Sequence, residues 1–109
     1  MSLKIRTRKH KDIPVVSVEG EVTFKDVARI RKKLDTAFSR GGHSSCVLDL
    51  EKVQFIDSHG IGLFLYMWKV LKEHDRSLIF LNPQGFVKQM FEQTNLDRYM
   101  KFIFSLEEL

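Results

Sequence analysis

One cysteine, Cys46, is the only thiol among the 109 residues. A lone cysteine inside an apolar run builds no disulfide framework and points to a reducing compartment, the cytoplasm. Long apolar runs are missing as well. The longest, Ile61 to Trp68, is interrupted by Gly62 and closed by Lys69, far short of the roughly 20 residues a membrane span needs. No secretory leader is legible, because Lys4 to Asp12 is charged where a signal needs an apolar stretch.

Several kinds of chemistry also lack their signatures. His43 and Cys46 are close in sequence, but His10, His59 and His74 supply no second pair at metal-ligand spacing. Gly60-Ile61-Gly62 has neither the third glycine nor the Lys-Ser/Thr pair of a nucleotide-binding loop. Ser58 and His59 are adjacent, yet the Gly-x-Ser-x-Gly elbow is absent, with Phe55 and Asp57 preceding and adjoining the serine. Neighbours on a helix point about 100° apart, so His59 is badly placed to take a proton from Ser58. On the same wheel His59 falls near Tyr66, which suits rim packing or a partner contact. The expectation is a chain without metal, cofactor or catalysis.

What is present fits an ordinary globular chain, with 43% hydrophobic and 29% charged residues. Its length suits a single domain over 1–109. The net charge is +4, concentrated in "KIRTRKHK" and "RIRKK". In the first, Lys4, Arg6 and Arg8 alternate with Ile5 and Thr7, as on the solvent face of an edge strand. In the second, cations lie between the apolar positions of an amphipathic helix. No aromatic stacking set or helix-turn-helix pattern accompanies the charge, so no nucleic-acid partner is expected.

Strand-like runs open the chain at 4–8 and 14–20, with "KHKDI" as the connection. From Lys25 to Ser39, Val27, Ile30, Leu34, Ala37 and Phe38 recur at helical spacing, and the glycines of "RGGHSS" end that helix. "CVLDL" (46–50) puts Cys46, Leu48 and Leu50 on one strand face, with Val47 and Asp49 on the other. A helix to about His74 and the strand "SLIFL" (77–81) follow. "NPQG" leads into a short helix through Phe86, Val87, Met90 and Phe91. "MKFIF" (100–104) alternates again, and "SLEEL" reads as a helix start. The order is β-β-α-β-α-β-α-β. Polar residues on one face of several strands predict a sheet covered on one side only, which argues against a doubly wound nucleotide-binding fold.

The most informative stretch is "VQFIDSHGIGLF" (53–64), where two glycines weaken the start of an apolar helix. Interior helical glycine costs on the order of 1 kcal/mol against alanine. On the wheel Ile61, Phe64, Met67, Trp68 and Leu71 share the apolar side, whereas Ser58, Gly62, Leu65, Lys69 and Lys72 fall opposite. Ser58 is therefore expected to face solvent, with Gly60 and Gly62 clearing side chains from around it and Leu65 adding an exposed apolar contact. A phosphate on Ser58 would sit at the positive end of the helix dipole. It would bring about −1.5 to −2 charges and three acceptor oxygens. Asp57 or Ser58 also serves as the N-cap, a role contributing around 1 kcal/mol.

"CVLDLEKVQFIDSHGIGLFLYMWKVLKE" resembles the signature of STAS domains, specifically bacterial anti-sigma factor antagonists. Asp49, Asp57, Ser58, Gly60, Ile61, Gly62 and Leu63 stand at its positions. "VEGEV" matches the family's Gly-Glu turn at Gly20 and Glu21, and "NPQGFVKQMFEQTNLDRYMKF" its closing strand-helix-strand segment. The resemblance implies an α/β fold with a mixed four- to five-stranded sheet and helices mainly on one face. It implies partner switching: the unphosphorylated chain binds an anti-sigma factor that is also a serine kinase, phosphorylation of Ser58 releases it, and a serine phosphatase resets the cycle. The partner-binding residues implied are Gly20, Glu21, Thr23, Asp57, His59, Gly60, Gly62, Leu65 and Lys69. His59 replaces a residue that is commonly small, and Thr23 stands where an acidic residue is frequent, so a divergent partner is implied. STAS domains also serve as accessory subunits of membrane transporters, phospholipid systems among them, and in other signalling assemblies, where Phe24, Leu65 and Tyr66 would supply contacts. Leu65 and Tyr66 could also support weak self-association as a homodimer.

Overall fold

The computed structural model describes residues 3–39 and 43–109. Eight elements follow one another as β1 (Lys4–His10), β2 (Ile13–Val22), α1 (Val27–Ser39), β3 (Ser45–Ile56), α2 (Ser58–Glu73), β4 (Ser77–Leu81), α3 (Gly85–Gln93) and β5 (Lys101–Ile103). Two 3₁₀ turns, Leu96–Arg98 and Leu106–Glu108, flank the last strand. The strands form one sheet in sequence order, β1 antiparallel to β2 and the remaining neighbours parallel. This is the mixed sheet the sequence implied. The two glycines expected to end α1, Gly41 and Gly42, lie outside the described residues. No helix among the described residues is long and apolar enough to cross a membrane.

The first connection is tighter than "KHKDI" suggested. His10 pairs directly with Ile13, leaving Lys11 and Asp12 as the whole turn, both at positive φ (51° and 66°). Two successive left-handed residues match the twist of a hairpin.

The main core lies between the sheet and its three helices. Val16, Val18 and Val22 of β2, Cys46, Leu48 and Leu50 of β3, and Leu78 and Phe80 of β4 meet Ile30, Leu34 and Phe38 of α1. Phe64 of α2 and Phe91 of α3 close on Phe80 with ring centroids 6.1 and 5.2 Å away. Cys46 is sealed inside this layer, and burial raises its thiol pKa to about 11 against the lowering influence of Arg76. Such a thiol is inert at neutral pH. Arg76, which the sequence did not single out, donates to Phe38 O, to His43 O at 2.9 Å and to Cys46 Sγ at 3.2 Å, tying the end of α1 to the start of β3.

The opposite sheet face is not simply bare, which corrects the one-sided expectation. Ile13, Val15, Val47, Ile79, Leu81 and Ile103 form a second buried cluster, and Leu106 and Leu109 pack over it. A capping box holds that last turn in place: Glu107 N donates to Ser105 Oγ (3.2 Å) and Ser105 N to Glu108 Oε2 (3.0 Å). A segment this short has too few residues to show helical periodicity, and Val47 therefore looked solvent-facing.

Two β-bulges shape the end of β3. Asp49 faces Ser17 but Lys52 faces Glu19, and Val53 faces Gly20 but Phe55 faces Glu21. Each adds one residue to β3, so its inward positions run Leu50, Val53, Ile56 instead of alternating. Gly20 is buried within β2 at φ 116°, a conformation glycine adopts without a Cβ penalty. The expected Gly-Glu turn is thus a strand position opposite a bulge, and Gly20 offers no exposed surface on the helical face.

Candidate functional site

The bulged end of β3 delivers Asp57 to the first turn of α2. Its backbone is extended (φ −99°, ψ −177°), and its Oδ1 accepts from His59 N and Gly60 N, both at 3.0 Å. The second oxygen reaches another element. Oδ2 accepts from Phe24 N at 2.9 Å, and Asp57 N donates to Val22 O at 3.1 Å. One carboxylate therefore fixes both the helix start and the β2–α1 connection. Partial burial by itself raises the Asp57 pKa; donation from Gly60 N and Phe24 N, the nearby His59 ring and donation from His59 N outweigh it. The carboxyl titrates below its usual range as a result.

Ser58 is the first residue of α2 and is exposed, as expected. Its hydroxyl makes no hydrogen bond with another described residue. The two glycines differ. A Cβ on Gly62 would meet nothing within 4 Å, so the space one turn beyond Ser58 is open. A Cβ on Gly60 would lie 2.6 Å from Ile56 Cγ1 and 2.8 Å from Val22 Cγ1. Gly60 is buried, and its expected exposure is overturned: it lets α2 approach the β2–β3 layer. The wheel itself carried that signal, since Gly60 shares the side of Phe64, Met67 and Leu71.

Other expected contacts also move. Leu65 is half-buried against the core and not a free apolar tip. The His59 ring lies at the rim, 6.0 Å from the Phe24 ring, with Nδ1 at 3.8 Å from Asp57 Oδ2. Tyr66 is engaged by Arg31 of α1, whose Nη2 donates to its hydroxyl at 2.9 Å while the guanidinium lies 4.5 Å from the ring centroid. Arg31 was missed because nothing in a single helix period shows which neighbour a charged side chain will cover. Thr23 is half-buried in the connection that Asp57 holds, Glu21 is exposed at the end of β2, and Lys69 is exposed. Lys69 lies about 16 Å along the helix from Ser58. The structure thus gathers Thr23, Phe24, Asp57, Ser58, His59 and Gly62 at one end of the α1–α2 face. Gly60 lies beneath it, Gly20 is buried within β2 opposite Val53, and Lys69 stands well apart.

The face is chemically simple. Among the described residues no three of His, Cys, Asp and Glu gather in a way that could hold a metal ion. What the arrangement offers is an accessible hydroxyl at the positive end of a helix, beside open space and an exposed aromatic, Phe24.

A family model described as the STAS domain matches residues 4–109. An anti-sigma-B factor antagonist of Staphylococcus epidermidis is 32% identical over 100 residues, covering 92% of each chain. An anti-sigma factor antagonist from Mycobacterium paratuberculosis superposes with a TM-score of 0.86 at 19% identity, over 98% of this chain and 90% of that one. The Bacillus cell fate determinant SpoIIAA, solved in its phosphorylated form, gives a TM-score of 0.72 at 26% identity, over 96% and 95% of the two chains.

Proposed function

We propose partner switching as the work of this chain, which belongs to the STAS domain family. In the unphosphorylated state it binds an anti-sigma factor in the cytoplasm, through the surface around the first turn of α2. That partner acts as a serine kinase on Ser58, the phosphorylated form lets go, and a serine phosphatase restores binding. The chain is a ligand and a substrate, with no catalysis of its own.

One observation carries the reading: the Ser58 hydroxyl stands free at the helix start, one turn from the open space over Gly62. A phosphate there is stabilised by the helix dipole and adds about −1.5 to −2 charges beside Asp57. The α2 cap is made by the neighbouring Asp57 and not by Ser58. Modification therefore changes the docking surface without removing a group the fold uses. Thr23, Phe24, His59 and Gly62 frame the contact. The phosphorylated relative SpoIIAA and the antagonist named in S. epidermidis support this reading.

The test is intact mass and binding together. Incubation with the cognate kinase and ATP adds one phosphate to the wild-type chain and none to Ser58→Ala. The phosphorylated protein loses the anti-sigma factor in a calorimetric titration, whereas Ser58→Ala retains it. A phosphate that persists in Ser58→Ala, or unchanged affinity after phosphorylation, overturns the assignment.

A further inference from the structure

Ser58, Gly62 and Tyr66 follow one another at four-residue intervals along α2, so they stand in one row on the helix surface. The open space over Gly62 is the middle of that row. A partner that settles there meets Ser58 on one side and Tyr66 on the other, each about 6 Å away along the helix axis. The switching assignment uses the row only from Ser58 to Gly62.

Tyr66 is 43% exposed, and yet it is held. Arg31 Nη2 donates to its hydroxyl at 2.9 Å, and Arg31 Cζ lies 4.5 Å from the ring centroid. Among the described residues one carboxylate lies within 4.0 Å of Arg31: Asp35, whose Oδ2 is 3.9 Å from Nε, beyond hydrogen-bond range. The cation is therefore tied to the ring more closely than to its own helix. A ring already pinned in this way loses little rotamer freedom when a partner covers it. Tyrosine and arginine are also among the side chains most enriched at binding hot spots.

The hydroxyl gives the contact a direction. A phenol accepts hydrogen bonds and also has one proton to donate. Arg31 uses its accepting side, and among the described residues none accepts its proton. That proton is available to an acceptor arriving from outside.

The two ends of the row are electrostatically separate. Eight helical residues span about 12 Å, whereas charges are screened over about 8 Å at physiological ionic strength. A phosphate on Ser58 is thus largely screened at Tyr66.

We propose that Tyr66, positioned by Arg31, is a phosphorylation-blind anchor for the anti-sigma factor, its hydroxyl donating to an acceptor on that protein. The anchor rests on the switching assignment and deepens it. The Ser58 end sets whether the partner binds, and the Tyr66 end sets which partner fits, because a partner lacking the acceptor leaves the hydroxyl proton unpaired at the contact.

The test is phosphorylation kinetics of the full chain with the purified anti-sigma factor kinase and ATP, beside calorimetric binding of the same protein without ATP. Tyr66→Ala raises KM for the chain about tenfold with kcat unchanged, as loss of uniform binding requires, and weakens binding by a similar factor. Tyr66→Phe, which keeps the ring, raises KM about threefold. Arg31→Ala also raises KM about threefold, but adds nothing in the Tyr66→Ala background. Both positions are exposed, so melting temperatures stay within roughly 4 °C of wild type. An unchanged KM in Tyr66→Ala, a fall in kcat, Tyr66→Phe matching wild type, or an Arg31→Ala effect of equal size in both backgrounds overturns the anchor and leaves the Ser58 assignment standing. A wild-type chain that takes no phosphate on Ser58 overturns the switching assignment and the anchor with it.

Discussion

Gly60 and Gly62 sit two residues apart in the first turns of α2, and a side chain added at each would meet opposite surroundings. At Gly60 it would press on Ile56 and Val22, both core residues, at under 3 Å. At Gly62 it would enter open space. The inner glycine is a packing device, allowing helix and sheet to close. The outer one has no packing reason to be glycine, yet interior helical glycine still costs on the order of 1 kcal/mol. A residue that weakens the helix and relieves no clash fits the proposed docking of a partner at this surface.

Placing the same side chain at both positions sharpens the contrast. Gly60→Leu has the largest effect, since the β-branched Val22 and the body of Ile56 cannot swing aside. Overpacking of this kind costs about 1–3 kcal/mol or more, and a fall in Tm of roughly 10–20 °C by calorimetry is the expected result. Asp57→Ala comes next, removing the cap of α2 and the acceptor for Phe24 N together. A loss of about 1–2 kcal/mol in denaturant titration is expected, at the upper end of cap substitutions.

A pH series on Asp57→Asn is a subtler probe. The folded carboxyl titrates below its usual value, so the ionised form is favoured by folding. That stabilisation is fully present above the ordinary carboxylate pKa of about 3.9 and is lost as pH falls through the lower folded value. The stability gap between wild type and Asp57→Asn, measured by thermal melts, should therefore narrow below about pH 4. A gap that does not change with pH would show that the carboxylate charge contributes nothing to the junction.

Gly62→Leu should disturb the fold least. Its stability is expected to stay level or rise by up to about 1 kcal/mol from helix propensity, while affinity for the anti-sigma factor drops about tenfold, or 1.4 kcal/mol. If Gly62→Leu binds as wild type, the outer glycine is not an approach route and the contrast between the two positions disappears.

Much of the architecture was readable before any coordinates. Val27, Ile30, Leu34 and Phe38 keep one phase of a helical period, and "SLIFL" coincides with β4 residue for residue. Those signals are local, so they survive without knowledge of neighbours. The bulges of β3 were not readable, because an extra residue is defined by its opposite number on β2 and not by its own identity. Leu106 and Leu109 were equally opaque, since a single 3₁₀ turn carries no period to betray which surface it covers. At the site, Ser58 and Gly62 were placed correctly by the wheel. Gly60 was misassigned although its spacing to Phe64 and Met67 marked it as inward-facing, and Leu65 proved half-buried because the core extends around the helix further than a simple two-sided division allows.

The sequence by itself determined the order of elements, the apolar faces of the helices and the exposed serine at the start of α2, because each is fixed by periodicity or by chemistry within a few residues. Only the tertiary structure decided how closely a Gly60 side chain would press on Ile56 and Val22, that the Asp57 carboxylate caps α2 and also holds Phe24, and that Lys4, Arg6, Arg8 and Lys52 line one groove. These are relations between residues far apart in the chain, set by strand register and by how closely a helix can settle on its sheet.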